Sequence, residues 1–177
     1  MSSESSTDLI AEGEAKLAAG DLDAALAVLQ RAVAAAPRSA VAHSKLGIVH
    51  VHKQQWEAAA GEFNKSIQLD PTYAPAYSNL GNVYRERGQL DQAVAQYQKA
   101  VSLDPDYWVA HQNLGIVYKQ QGRIGEAVRE FKAATRLSLR SPGQGSPGRP
   151  AQGTRAGCLG SSAMIAIASM VLAAARR

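Results

Sequence analysis

Apolar residues recur three and four positions apart along most of the chain, which is the spacing that places side chains on one face of an α-helix. The clearest stretch predicts one helix over residues 75–87 and a second over residues 90–103. Gly88-Gln89 interrupts the pattern between the two helices. Asp104-Pro105 ends it, because proline disfavours a helical conformation in the residue before it. The pattern therefore predicts a helical hairpin.

The hairpin pattern repeats at an interval of 34 residues. Residues 69–73 recur as residues 103–107, and residues 79–84 recur as residues 113–118. A constant interval of this length is typical of a solenoid built from stacked hairpins. The interval predicts four units, at residues 6–39, 40–73, 74–107 and 108–141.

Small residues recur where the two helices of a hairpin must touch. On the first helices these are Gly13, Gly47, Gly81 and Gly115, and on the second helices Ala25, Ala59, Ala93 and Ala127. Large residues that fill the space beyond them are Leu29, Phe63, Tyr97 and Phe131. We interpret these positions as packing between and within hairpins.

The turn inside each hairpin also has a recurring residue. Gly20, Gly88 and Gly122 occupy equivalent places, where glycine tolerates a left-handed backbone. The second unit has Gln54 at this place, which predicts a less favourable turn.

The third unit resembles the tetratricopeptide repeat, through the pattern Tyr77-x-x-Leu80-Gly81-x-x-Tyr84 followed by Ala93, Tyr97, Ala100 and Pro105. The second and fourth units match the same pattern. The first unit is degenerate, as terminal repeats often are, because one of their faces meets water. The resemblance covers residues 6–138 and implies an all-α, right-handed solenoid of four hairpins. It also implies a concave groove, lined by the first helices, that binds an extended peptide or a partner helix.

We predict that one face of the first helices forms this groove. The candidate residues are Lys45, Ser78, Asn79, Asn82, Arg85, Gln112, Asn113 and Lys119. Asn79 and Asn113 are equivalent, and a side-chain amide offers both a donor and an acceptor to any peptide backbone. Their row resembles the asparagine ladder of the nucleocytoplasmic transferase that attaches a sugar to serine and threonine. The alternative is that Asn79 and Asn113 cap or solvate local backbone.

A second subfamily binds the acidic C-termini of chaperones through a clamp of lysine, asparagine and arginine. Asn82 and Asn113 match two asparagine places of this clamp. Ser78 and Val109 stand where the clamp has lysines. The sequence therefore disfavours this specific function.

The sequence contains no motif for catalysis, for a metal or for a cofactor. It has no Ser/His/Asp set, no paired carboxylates and no glycine-rich phosphate loop. His43 and His111 take the place of a large aromatic residue in the repeat, which favours a packing role. We predict a protein that is not an enzyme, has no cofactor and binds a protein or peptide partner. The alternative is a targeting or assembly subunit of an enzyme complex.

The net charge of +4 hides an uneven distribution. From residue 108 onward there are ten lysines and arginines against two acidic residues, whereas residues 1–39 are acidic. Neither interleaved aromatic residues nor a nucleic-acid motif accompanies these charges, so we interpret them as a solvated surface and predict no nucleic-acid partner. The polar first residues lack the features of a secretory signal, which predicts that the repeats stay in the cytoplasm.

The two ends of the chain have compositions of their own. Residues 1–5 are predicted to be disordered, and residues 142–155 are rich in proline and glycine, as a linker is. Residues 156–175 form an uncharged run of 20 residues, the length of a membrane-spanning helix. Three interpretations stay open for this run: a single-pass membrane anchor, a helix that folds back on the last hairpin, and a terminus without fixed structure.

Overall fold

The computed structural model describes residues 5–140, which form eight α-helices and no β-strand. The helices are α1 (Ser6–Ala18), α2 (Leu22–Ala35), α3 (Ala40–His52), α4 (Trp56–Leu69), α5 (Ala74–Glu86), α6 (Leu90–Leu103), α7 (Trp108–Gln120) and α8 (Ile124–Arg140). Consecutive helices pack in pairs, one pair for each 34-residue unit. The two helices predicted in the third unit are α5 and α6, with bounds that agree within one residue. The prediction of an all-α stack of four hairpins is confirmed.

The predicted linker at residues 142–155 and the predicted hydrophobic helix at residues 156–175 lie outside the described residues. Within residues 5–140, no helix is long and apolar enough to cross a membrane.

Ser5 caps α1, since its hydroxyl accepts a hydrogen bond from the backbone nitrogen of Asp8 at 3.2 Å.

All four hairpin turns contain a residue in the left-handed region of backbone conformation. The φ angles are 81° at Gly20, 75° at Gly88 and 74° at Gly122, whereas Gln54 has a φ of 58°. A residue with a Cβ atom adopts this conformation at a cost of about 1–2 kcal/mol. The turn of the second unit is therefore the least favourable of the four, as the sequence predicts.

Within each hairpin, a glycine of the first helix faces a large side chain of the second helix. A Cβ atom built on Gly81 would lie 2.7 Å from Cε1 of Tyr97, and one built on Gly47 would lie 2.7 Å from Cε1 of Phe63. These distances are too short for non-bonded carbon atoms, so the ring occupies the space that a side chain would need. Tyr97 and Phe63 are fully buried as a result.

Successive hairpins contact each other unequally on their two sides. Each second helix packs on the first helix of the next hairpin, and the first helices α1, α3, α5 and α7 also contact one another in sequence. Between residues 5 and 140, the second helices of successive hairpins do not come within 8 Å of each other between Cα atoms. The stack therefore curves, with the first helices on its concave side.

Replacing Gly81 by alanine tests the contact that defines the hairpin. We expect Gly81→Ala to lower the free energy of unfolding by about 1–3 kcal/mol, because the methyl group displaces the buried Tyr97 ring. Thermal unfolding followed by circular dichroism measures the change.

Gly61→Ala is the matched control, since Gly61 lies inside α4 and a Cβ atom there would meet nothing within 4 Å. This change should raise stability by about 0.5–1 kcal/mol, because alanine loses less backbone entropy in a helix than glycine does. Equal effects at the two positions would contradict this account of the hairpin.

Candidate partner-binding surface

Side chains join the first helices of successive hairpins at one recurring place. Lys45 of α3 forms an ion pair with Glu14 of α1. Asn113 of α7 donates a hydrogen bond from Nδ2 to Oδ1 of Asn82 in α5, at 3.2 Å. In both pairs the two residues are 31 positions apart, so the contact repeats with the stack. The repeat pattern thus places polar contacts along the concave side.

Two hydrogen bonds fix the orientation of the Asn82 amide. The hydroxyl of Tyr97 donates to Oδ1 of Asn82 at 2.6 Å, and Asn113 donates to the same oxygen. Both donors use the carbonyl oxygen, so the two N–H groups at Nδ2 of Asn82 remain available to donate hydrogen bonds. Asn82 as a whole is buried, with 7% of its surface exposed. Within residues 5–140, Oγ of Ser78 is the only side-chain polar atom that is both fully buried and without a partner, so Nδ2 of Asn82 keeps a small contact with solvent. Asn82 therefore presents donors, and no free acceptor, at this place.

The eight candidate residues differ in exposure and in contacts. Gln112 and Lys119 are exposed and make no contact with the other candidates in the described part of the chain. Asn79 is half-buried and has no hydrogen bond there. The Arg85 side chain is 14% exposed and donates to Oε1 of the adjacent Glu86 at 2.8 Å. The structure thus groups Asn82 with Asn113, and leaves Asn79 and the two exposed side chains free.

Sequence reasoning missed two residues that organise this surface. Glu14, the partner of Lys45, could have been found from the 31-residue separation that it shares with Asn82 and Asn113. Tyr97 could have been found because it stands where the second and fourth units have phenylalanine. Its additional hydroxyl needs a partner when the ring is buried.

Burial sets the ionisation of the groups near this surface. Burial raises the pKa of Tyr97, and the nearby Arg85 opposes the shift only in part. Burial also raises the pKa of Tyr73, against the effect of a hydrogen bond with Ser44. In α3, partial burial of the ring lowers the pKa of His52, although the residue as a whole is exposed. These two tyrosines therefore remain neutral hydrogen-bonding groups, and His52 favours its neutral form at neutral pH.

The two histidines at the aromatic place have a structural role. His43 contacts a carboxylate oxygen of Glu62 through Nδ1 at 2.7 Å and the backbone oxygen of Pro37 through Nε2 at 3.2 Å. His111 makes the equivalent pair of contacts in the fourth unit. Tyr77 donates its hydroxyl to the equivalent proline carbonyl in the third unit, at 3.1 Å. These side chains tie the preceding turn to the hairpin, which agrees with the predicted packing role.

Models of the tetratricopeptide repeat match the chain over most of its described length. The matched segments are residues 10–74, 62–95, 81–122 and 109–140. A crystal structure of MamA is 30% identical to this chain, with a TM-score of 0.66, and the match covers 77% of this chain and 80% of MamA. The chain belongs to the tetratricopeptide repeat family. Proteins of this family bind protein partners and generally lack catalytic activity, so this tetratricopeptide protein is an interaction scaffold.

Other solved structures have the same fold. MamA from Desulfovibrio magneticus RS-1 is 27% identical, with a TM-score of 0.64, over 76% of each chain. PilF from Pseudomonas aeruginosa is 26% identical, with a TM-score of 0.70, over 77% of this tetratricopeptide protein and 63% of PilF. No similar sequence was found among curated proteins.

Replacing Asn82 by alanine tests the polar contact between α5 and α7. We expect Asn82→Ala to lower the free energy of unfolding by about 1–3 kcal/mol, because the buried Tyr97 hydroxyl loses its acceptor. Asn79→Ala is the control and should change stability by less than about 0.5 kcal/mol, since Asn79 has no described hydrogen bond. Urea denaturation measures both variants. A smaller loss for Asn82→Ala than for Asn79→Ala would contradict the assignment.

The buried Tyr97 hydroxyl also predicts how stability responds to alkaline pH. The ordinary pKa of tyrosine is 10.0, and burial raises the pKa of Tyr97 in the folded state. Deprotonation therefore favours the unfolded chain, so the contribution of Tyr97 is present below about pH 10 and is lost as the pH rises above it. Between about pH 8 and about pH 11, we expect the melting temperature of Tyr97→Phe to fall less than that of the wild-type protein. An unchanged fall in this variant would refute the prediction.

Proposed function

We propose that this protein is an adaptor that binds an extended peptide segment of a partner protein on its concave surface. The observation that carries the proposal is the unused Nδ2 group of Asn82, held in place on the concave side by Tyr97 and Asn113. A donor that is oriented before binding loses little entropy when a partner arrives. A peptide backbone supplies carbonyl acceptors regardless of its sequence, which suits a donor of this kind.

Groups around Asn82 support the same type of ligand. Asn79 has a free amide in α5, and Lys119 is an exposed cation in α7. The half-buried Ile48 and Ile116 occupy the places equivalent to Asn82 in the neighbouring repeats, where they offer apolar contacts. The surface thus combines backbone recognition at its centre with apolar contacts on both sides and a positive charge near one end. We expect the preferred peptides to carry acidic residues at the end that meets Lys119.

Selection from a random peptide library tests the proposal without knowledge of the natural partner. The full chain is used to select peptides, and affinities are then measured for variants. We expect Lys119→Glu to weaken the selected peptides about tenfold, which corresponds to about 1.4 kcal/mol. A charge reversal on the concave side removes an attraction and adds a repulsion to acidic peptides.

Lys99→Glu is the matched control. Lys99 is also exposed and its side chain has no described partner, but it lies on α6, a second helix, away from the concave side. The two variants have the same net charge, so a non-specific electrostatic effect would weaken binding equally in both. Equal losses of affinity in the two variants would reject the concave surface as the binding site. Unchanged affinity in both variants would reject it as well.

Membrane tethering is a separate hypothesis that rests on residues 156–175. These residues lie outside the described part of the chain, and the proposed peptide-binding surface contains none of them.

A further inference from the structure

One side of α8 carries a row of positive charges that the other second helices lack. Arg129, Lys132 and Arg136 are exposed, and their spacing of three and four residues places them on one side of the helix. In α2, α4 and α6 the equivalent places hold only alanine, glycine, serine, glutamine or asparagine. The cations are therefore a feature of the C-terminal end and not of the repeat.

Beside these cations, α8 has an apolar stripe that no residue between 5 and 140 covers. Ile124 is 56% exposed, Val128 is 45% exposed and Leu139 is 75% exposed, and the half-buried Phe131 lies between the last two. Their spacings of four, three and eight residues place these side chains on one face of the helix. The C-terminal end thus presents an amphipathic surface with one cationic border.

In the preceding repeat, a helix covers the equivalent face. Val94 of α6 has the place of Val128 but is only 8% exposed, because it packs in one cluster with Leu114 and Val117 of α7. On α8 the same face surrounds an open depression of about 550 Å³. The shape of the face therefore suits an α-helix with the apolar spacing of α7.

A polar contact beside that cluster indicates what else such a helix needs. Nε2 of Gln98 in α6 donates a hydrogen bond to the hydroxyl of Tyr118 in α7, at 2.9 Å. Lys132 has the place of Gln98 in α8 and borders the depression together with Arg136. An ammonium group has three donors, no acceptor and a positive charge, so its strongest hydrogen-bond partner is a carboxylate. The face therefore favours an acidic residue at the place of Tyr118.

The acidic residues of α8 do not neutralise this border. Glu126 forms an ion pair with Arg123, and Glu130 contacts Nδ1 of His111 at 2.6 Å. Within residues 5–140, the side chains of Lys132 and Arg136 have no described ion-pair partner. Their charge is therefore available to a ligand.

We propose that the C-terminal end of the stack is a second binding site, which takes one amphipathic helix of a partner protein with an acidic residue beside its apolar face. The ligand helix carries a small apolar residue, two large apolar residues and a carboxylate at the spacing of Ala110, Leu114, Val117 and Tyr118 in α7. The carboxylate pairs with Lys132. This site includes none of the residues of the concave surface, so it goes beyond the proposed adaptor function and does not depend on it.

Two other occupants fit this face less well. Contact between the α8 faces of two copies would bring their cationic borders together. In α1 of another copy, Glu12 has the place of Leu114 and Lys16 has the place of Tyr118. That helix would put a carboxylate against the apolar stripe and an ammonium group against Lys132, which is the reverse of what the face favours. A flat membrane surface would contact fewer of the apolar side chains than a helix does, because they line a depression.

Two designed peptides test the proposal with the full chain. Each is an alanine-rich helix of about 20 residues, which is long enough to be helical in water. Both carry leucine and valine at the spacing of Leu114 and Val117, followed by glutamate in one peptide and by lysine in the other. Fluorescence anisotropy at low ionic strength measures the affinities, because salt screens exposed charges. We expect the glutamate peptide to bind the wild-type protein about tenfold more tightly than the lysine peptide.

Charge reversal in the protein locates the site. Lys132→Glu should weaken the glutamate peptide about tenfold and strengthen the lysine peptide, so that the preference inverts. Lys99→Glu is the matched control, since Lys99 is equally an exposed lysine of a second helix and the two variants have the same net charge. It should leave the preference unchanged. Both variants should keep the melting temperature of the wild-type protein, because neither side chain is buried.

Three results of these measurements would overturn the proposal. The first is that neither peptide binds the wild-type protein. The second is that both peptides bind it with the same affinity. The third is that Lys132→Glu and Lys99→Glu have the same effect on the two peptides.

A variant of the apolar stripe distinguishes the other occupants. Val128→Asp should abolish binding of the glutamate peptide, because it places a carboxylate in the apolar face. Unchanged binding in this variant would contradict the proposal. Self-association of the wild-type protein in sedimentation that Val128→Asp removes would identify a second copy as the occupant and overturn the proposal. Flotation with vesicles of phosphatidylcholine and phosphatidylglycerol that the same variant removes would identify a membrane surface and overturn it as well.

Discussion

Contact between a glycine and a large buried side chain determines how closely the two helices of each hairpin approach. The space that a Cβ atom of Gly81 would need is filled by the Tyr97 ring, and Gly47 has the same relation to Phe63. Because the contact recurs in each unit, the hairpins have closely similar shapes and stack in one manner. Contact between successive first helices, without contact between successive second helices in the described repeats, then produces a curved stack with a continuous concave side.

The hydroxyl oxygen of Tyr97 links the packing inside the third hairpin to the concave surface. Tyr97 packs as the equivalent Phe63 does, but its hydroxyl extends to Oδ1 of Asn82. The same oxygen accepts from Asn113, so the third and fourth hairpins share the orientation of a single amide. A residue that fills the core therefore also determines which hydrogen-bonding group the surface presents. Under the proposed function, stability and peptide binding are coupled in these two repeats, and variants of Asn82 require a stability measurement beside any binding measurement.

Much of the fold could be predicted from the sequence, because the 34-residue interval and the breaks at glycine and proline are local signals. These signals placed α5 and α6 within one residue of their bounds. The polar pairs could not be predicted in the same way. Lys45 and Glu14 meet only because successive hairpins stack with a particular offset, which no single helix encodes. Likewise, the orientation of the Asn82 amide depends on a tyrosine hydroxyl from another helix.

The stability of a stacked-repeat protein is approximately the sum of the stabilities of its hairpins and of the interfaces between them. An inner hairpin has an interface on each side, whereas a terminal hairpin has only one. At the N-terminal end, polar side chains on α1 meet water, so the missing interface exposes little apolar area. At the C-terminal end, the exposed side chains of Val128 and Leu139 leave apolar area in water. Covering this area would stabilise the fourth hairpin, which carries Asn113 and Lys119. The condition of the C-terminal end therefore bears directly on how firmly the proposed binding surface is held.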